Sequence, residues 1–372
     1  MKKVLFLIHD LGVGGAEKVL VNLVNHLDRS RFDVTVISLF GGGVNEQFLL
    51  PHVHYRAVWR RALPGNSKLM QLLSPAQLHR LCVRERYDVE VAYLEGPAAR
   101  VISGCPDPTT RLLAWIHSEQ ESRKKASASF RSYQESVHCY ECFHQIVFVS
   151  DPIRQIFCNT YPTITNTCVR YNTIETDRIL QLKDEPVADV VFDPNEKKLV
   201  AVGKISKSKG FDRLARIVKR LRDENIPAHL YALGVGADRA EIEDYLRENN
   251  LQDYYTFLGY QTNPYAYVAR CDLFVCASWA EGFSTAATEA LIVGTPVCTV
   301  EVSGMKEMLG EHDEYGVVTK NDDEALYAAL KSLLTDPAKL AHYRTQAALR
   351  GKTFSTENTV KAVEELLTKT EL

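Results

Sequence analysis

No apolar run in this sequence approaches 18 residues, so no segment is expected to cross a membrane as a helix. The apolar stretch at 4–8 follows Met1-Lys2-Lys3 but stops at His9-Asp10, too soon for an export signal, and reads as a buried parallel strand. Net charge is also scarce. Against 44 Lys and Arg stand 47 Asp and Glu, a balance of -3, which argues against a dedicated nucleic-acid binder. The chain has no Asp-x-Asp, so a metal clamp is not expected. It lacks the complete Gly-x-Gly-x-x-Gly fingerprint of a nicotinamide enzyme, and no short-period repeat is evident. Nine cysteines, an odd number scattered along the chain, fit reduced thiols in the cytoplasm rather than a disulfide framework. Cys139-x-x-Cys142, flanked by His138 and His144, has no second ligand pair at finger spacing. It lies in a helical pattern with aromatic core positions and reads as structural rather than as a zinc or redox site.

What is present begins with length. At 372 residues the chain exceeds what one core usually holds, and 45% hydrophobic with 24% charged residues is ordinary for a globular protein of two domains. Strand candidates at 34–39, 89–93, 112–116, 146–149, 168–171 and 199–202 alternate with helical patterns, as βα units demand. Between 175 and 198 charge and proline replace the apolar strands, which marks a domain boundary. Helical patterns follow at 325–334, 340–349 and 357–367.

The most informative stretch runs from Ala277 to Leu291. An apolar strand (273–276) leads into a loop carrying Glu281, Gly282 and Phe283, then a helix capped near Ser284 or Thr285 that contains Glu289. The free N–H groups of Phe283, Ser284 and Thr285 suit a phosphate. Carboxylates beside an anion site are better placed to accept hydroxyl hydrogen bonds than to neutralise charge. A ligand offering both phosphate and hydroxyls is a nucleotide sugar.

Other strand ends add to this. Gly12-Val13-Gly14-Gly15 joins the first strand to a helix, a layout in which glycines let backbone approach a ligand. His117 follows the strand at 112–116. Gly203-Lys204-Ile205-Ser206-Lys207-Ser208-Lys209-Gly210 is a cationic loop between a strand and the helix from about 212 to 222, placed to meet a diphosphate. Gly234 and Tyr260 end two further strands.

Taken together, Glu281-x7-Glu289 with Gly282-Phe283, and the ending from Glu289 to Val297, resemble the signature of retaining glycosyltransferases of family four. The Gly14-Gly15-Ala16-Glu17 loop is similar to the family's opening loop. Gly203-Lys204 with Lys209-Gly210 is similar to its Gly-Arg-x-x-x-x-Lys-Gly motif, with lysine in place of arginine. That departure removes a bidentate fork. Where many relatives have His-Asp, this chain has His117-Ser118-Glu119, so the role of a neighbouring acid is open.

The resemblance implies an α/β protein of the GT-B type, two facing Rossmann-like domains with a cleft between them. Residues 1–175 would bind the acceptor, 176–354 the nucleotide sugar, and 355–372 would form a terminal helix packed back on the first domain. It implies sugar transfer with retention from a nucleotide diphosphate sugar, UDP-linked by expectation, to a glycan or lipid-linked glycan acceptor, as in capsular or exopolysaccharide assembly. No cofactor is implied; the nucleotide sugar is a co-substrate. His117, Lys204, Lys209 and Glu281 would serve the chemistry. Gly14, Gly15, Gly203, Gly234, Tyr260, Gly282, Phe283, Ser284, Thr285 and Glu289 would hold the ligand, Glu289 at the ribose. A sugar-nucleotide epimerase or hydrolase and a non-catalytic partner subunit stay open as alternatives. Finally, Arg56, Arg60, Arg61, Lys68, Arg80, Arg84 and Arg86 lie among Trp59, Leu69, Met70, Leu72, Leu73, Leu78 and Leu81, with further basic residues at Arg123-Lys124-Lys125 and Arg131. This pattern admits peripheral binding to the inner face of a membrane.

Overall fold

The apolar run at the start becomes β1 (Lys2–Ile8), whose residues Val4 to Ile8 are buried on both sides, the burial expected of a central parallel strand. The structure is a computed structural model and describes residues 1–61, 68 and 70–369. It divides into two units, Met1–Ile174 with Thr356–Leu372, and Glu175–Ser355.

In the first unit β1 is joined by β2 (Phe32–Phe40), β3 (His54–Trp59), β4 (Val89–Ala92), β5 (Arg111–Ile116), β6 (Gln145–Phe148) and β7 (Thr167–Val169). All pair in parallel, in the order β3-β2-β1-β4-β5-β6-β7. The second unit holds β8 (Lys197–Val202), β9 (Ala228–Leu233), β10 (Tyr255–Gly259), β11 (Leu273–Cys276), β12 (Val297–Val300) and β13 (Val317–Thr319). They too are parallel, in the order β10-β9-β8-β11-β12-β13. Both are Rossmann-like sheets. Each reverses its strand order once, between β1 and β4 in one and between β8 and β11 in the other. In open α/β sheets ligands bind at the carboxyl ends of the strands beside that reversal.

Two local patterns departed from the sequence reading. β3 has no apolar run because it is an edge strand of half-buried residues, among them Tyr55 and Arg56. Residues 175–198 are not bare linker. The helix Thr176–Leu182 buries Ile179, and Asn263 Nδ2 donates to Leu182 C=O at 2.9 Å within the second unit.

The helix Thr356–Thr368 belongs to the first unit and buries Val360, Val363, Leu366 and Leu367. Its C-terminal carbonyls attract cations, as the helix dipole favours. Lys2 Nζ donates to Leu367 and Thr368 C=O at 3.3 and 3.1 Å, and Arg111 Nη1 also reaches the Leu366 carbonyl. Arg31 pairs with Glu364 at 2.7 Å.

The basic segment from Arg56 to Arg86 is less uniform than its sequence implied. Met70 and Leu78 are core residues, because the helix Pro75–Cys82 turns Leu78 inward. Trp59 stacks on Phe40 at 5.4 Å, and Arg56 donates to Cys82 C=O at 2.6 Å. Leu69 lies outside the described residues. What stays on the surface is Arg60, Arg61, Lys68, Arg80, Arg84, Arg86 and Leu81, with Leu72 75% exposed. Arg131 donates to the Leu72 carbonyl at 2.8 Å and fixes that segment.

Candidate active site

In the second unit the reversal point brings two loops together. Gly210 ends the loop after β8 in the left-handed region, φ 72°, and a Cβ there would lie 2.0 Å from the Ala277 carbonyl oxygen. Only glycine lets the loop after β8 press so closely on the chain leaving β11. Gly234, at the end of β9, is packed in the same way against the Gly203 carbonyl, which a Cβ would approach to 1.8 Å.

The contact at Gly210 sets Lys209 beside Glu281. Lys209 Nζ lies 2.7 Å from Glu281 Oε1, and Ser278 Oγ donates to the same oxygen at 2.7 Å. A partial desolvation strengthens this pair, since the Glu281 side chain is only 13% exposed. Glu281 therefore holds a cation here, a contact that the sequence argument for hydroxyl partners did not include. Lys204 is exposed and its ammonium has no partner among the described residues, whereas Lys207 pairs with Glu241 at 2.9 Å. The three lysines are thus in three different situations.

Ser284 is the N-cap of the helix Thr285–Ile292, its hydroxyl accepting from Ala287 N–H at 3.3 Å; Thr285 is the first helical residue. Glu289 is buried, and Tyr265 O–H donates to its Oε1 at 3.4 Å. Phe283 is buried against Phe354, which anchors the Gly282-Phe283 turn. Tyr260 is exposed just after edge strand β10, two strands from β8.

The first unit has its own reversal-point site. Gly14 caps the helix Gly15–His26 without a side-chain bond, and the Glu17 carboxylate lies over it. Burial, followed in size by smaller effects that include the nearby Asp10, raises the Glu17 carboxyl above its ordinary range. Across the reversal, Glu95 follows β4 and accepts from His117 N–H at 2.9 Å and from the Ser118 hydroxyl. An acid that engages the His117 loop is therefore Glu95, on a different strand end. The place of Glu95 just after a strand, in Tyr93-Leu94-Glu95-Gly96, does not by itself tie it to His117.

The His117 ring hydrogen-bonds the Tyr93 backbone and packs 5.0 Å from the Tyr93 ring. Part of the residue is accessible, but its Nε2 is sealed from solvent and has no partner among the described residues. Burial pushes the imidazole down to about 3. At neutral pH it is uncharged, with an unmet acceptor on Nε2 that suits a hydroxyl donor.

Among the described residues the Cys139/Cys142 pattern forms no ligand cluster. The helix Tyr133–Glu141 buries Cys139, Cys142 Sγ donates to His138 C=O, and His144 Nδ1 accepts from Leu112 N–H. A different trio, His79, Glu90 and Cys105, sits at the opposite strand ends with ligand atoms within 4.8 Å. His79 Nε2 and Glu90 Oε2 are 2.8 Å apart and satisfy one another.

Comparison with known proteins gives these sites a context. The model of the family described as "Glycosyltransferase Family 4" matches residues 13–178, and that described as "Glycosyl transferases group 1" matches 183–350. The chain is 26% identical to the Campylobacter jejuni N-acetylgalactosamine-N,N'-diacetylbacillosaminyl-diphospho-undecaprenol 4-alpha-N-acetylgalactosaminyltransferase, over 95% of this chain and 96% of that one. It is 23% identical to the lipopolysaccharide core biosynthesis glycosyltransferase LpsE of Rhizobium meliloti, covering 91% and 89%. Among solved structures, Anabaena HepE in complex with UDP and glucose superposes with a TM-score of 0.77 at 19% identity, over 99% of this chain and 100% of that one. The two family matches lie end to end, and the chain is a family-four-like glycosyltransferase of the GT-B fold, a hexosyltransferase.

Proposed function

We propose that this enzyme moves a hexose or N-acetylhexosamine from a UDP-linked donor, with retention at the anomeric carbon, to a lipid-linked glycan in capsule or exopolysaccharide assembly. The observation that carries the reading is the Lys209–Glu281 pair at the reversal point of the second sheet. A cation for the diphosphate and a carboxylate for sugar hydroxyls stand side by side there. The UDP bound in HepE and the undecaprenol-linked substrate in the Campylobacter enzyme's name favour the donor base and the acceptor class.

As the glycosidic bond to the diphosphate breaks, negative charge grows on the leaving group. Fixed cations and N–H groups stabilise it without reorganising. Lys204, Lys209 and the helix start at Ser284 and Thr285 supply these, with Gly203, Gly234 and Gly282-Phe283 shaping the backbone around the phosphates. Glu281 accepts from sugar hydroxyls once the diphosphate draws Lys209 to itself. Glu289 accepts from the ribose, and Tyr260 lies nearer the base. In the first unit the neutral His117 accepts from a sugar hydroxyl, and Gly14 and Gly15 allow a close backbone approach. No step needs a metal ion. The remaining basic surface around Arg60, Arg61, Lys68 and Leu72 binds the enzyme reversibly to anionic lipid at the inner membrane face.

The test is a thermal-shift panel of UDP, GDP and their common sugar conjugates, since a ligand that binds the folded state raises its melting temperature. Stabilisation by UDP and by one UDP-sugar is expected. Stabilisation by GDP conjugates alone, or by none, would overturn the donor assignment.

A further inference from the structure

Glu281 sits on a loop that is braced from behind, and none of the residues bracing it belongs to the motifs that mark the site. Arg213, on the helix Phe211–Asp223, is 0% exposed. Its Nη1 donates to the Ala277 carbonyl at 3.1 Å and to Asn321 Oδ1 at 2.8 Å, and its Nε donates to Asp323 Oδ1 at 2.9 Å. The guanidinium carbon lies 4.1 Å from the Trp279 ring centroid. Asn321 Nδ2 in turn lies 3.4 Å from the carbonyl oxygens of Ser278 and Trp279. Three successive carbonyls between β11 and Glu281 are therefore held by one connected unit. The far side of the loop is fixed as well, because Trp279 N–H donates to the Ser208 carbonyl at 2.9 Å.

This brace is not an economical way to stabilise a core. A buried guanidinium carries a desolvation cost that well-packed apolar residues avoid. Arg213 Nη2 is moreover buried with no partner among the described residues. What the arrangement supplies is geometry. The Ala277 carbonyl that Arg213 holds is the one against which Gly210 packs, and Gly210 follows Lys209 directly. Ser278, whose hydroxyl holds Glu281, lies between two of the braced carbonyls. One side chain thus holds the stretch of backbone from which Ser278 reaches Glu281.

We propose that Arg213 is a positioning residue for Glu281, acting through Asn321 and the Ala277–Trp279 backbone. This rests on the reading of Glu281 as a sugar-contacting residue. A small displacement of a reacting group lowers rate far more than it lowers ligand affinity.

The experiment measures UDP release from the UDP-sugar that turns over fastest with water as acceptor, alongside UDP affinity by calorimetry. The proteins are wild type, Arg213→Met, Glu281→Gln and the double variant. Arg213→Met is expected to lower kcat by about 100-fold while UDP affinity stays within about twofold, and Arg213→Lys should recover part of the rate. In the Glu281→Gln background, Arg213→Met should cost little more, because both changes disable the same group. A slow Glu281→Gln enzyme in which Arg213→Met costs its full effect again would overturn this proposal alone. A Glu281→Gln enzyme of full rate would overturn the reading of Glu281 and this proposal with it. A parallel loss of UDP affinity and rate in Arg213→Met would show a merely structural role. If Arg213→Met fails to fold, Asn321→Ala removes the hold on Ser278 and Trp279 and carries the same cycle with the same outcomes.

Discussion

Lys209 Nζ and Glu281 Oε1, 72 residues apart in the chain, lie 2.7 Å from one another where the second sheet reverses its strand order. A diphosphate and Glu281 compete for that one ammonium group. Glu281→Ala should therefore bind UDP at least as tightly as wild type while turning over slowly, and Lys209→Ala should lose both. Calorimetry with UDP beside a turnover assay checks this. A Glu281→Ala protein with weakened UDP binding would contradict it.

Glu289 is buried about one and a half helical turns beyond the Ser284 cap and is expected to serve the ribose. Its replacement by alanine should weaken UDP binding by about 1–3 kcal/mol, the scale of a hydrogen bond to a charged group. Thermal melting without ligand separates this from a folding defect. Unchanged UDP affinity in a folded Glu289→Ala protein would remove the assignment.

Lys204, exposed and without a partner among the described residues, should act on the leaving diphosphate rather than on stability. Lys204→Ala is expected to lower the rate by about 10²-fold, as when one charge-stabilising donor is lost, with little change in melting temperature. Chelator should leave the wild-type rate intact. Inhibition by chelator that magnesium or manganese reverses would overturn a metal-free mechanism.

Two histidines should shape stability in opposite pH ranges. Burial lowers His117 from 6.5 to about 3, so below 6.5 the unfolded chain takes up a proton that the folded one refuses. Its contribution is complete above 6.5 and is lost as pH falls toward 3. For His79 burial pulls downward, but hydrogen bonds and charge from Cys105 and Glu90 outweigh it and raise the imidazole to about 9. That contribution is complete below 6.5 and is lost as pH rises through 9. Urea denaturation across this range should show His117→Asn flattening the acid limb and His79→Gln the alkaline one. Limbs that survive these substitutions would refute the assignments.

Membrane binding is checked by sedimentation with anionic vesicles. Each Lys or Arg near such a surface contributes roughly 1 kcal/mol, so wild type should pellet at low salt and be released by added salt. Arg60→Glu/Arg61→Glu/Lys68→Glu should stay in the supernatant. If wild type also stays there, the acceptor is not reached by way of anionic lipid.

The fold was legible where burial is continuous. Residues 4–8 and 273–276 are apolar without interruption because parallel strands in a covered sheet have no wet face. Gly210 and Gly234 were visible as loop residues, although not the carbonyls they press on. β3 was hidden because an edge strand needs only partial burial, so His54, Tyr55 and Arg56 read as surface. Met70 and Leu78 read as membrane-facing because composition alone does not say which side of a short helix turns inward. The Lys209–Glu281 pair, the Glu95 contact to His117 and the Arg213 brace join residues far apart in sequence, and nothing in local spacing encodes them.

The helix Thr356–Thr368 completes a unit whose other residues end at Ile174, while the second unit is one uninterrupted stretch. During synthesis, therefore, the first unit to emerge is the last to be finished. It must wait, with the sites of Val360, Val363, Leu366 and Leu367 uncovered, until the ribosome has made Thr368. Chains released at Ser355 should already resist protease across Glu175–Ser355 and remain cleavable before Ile174.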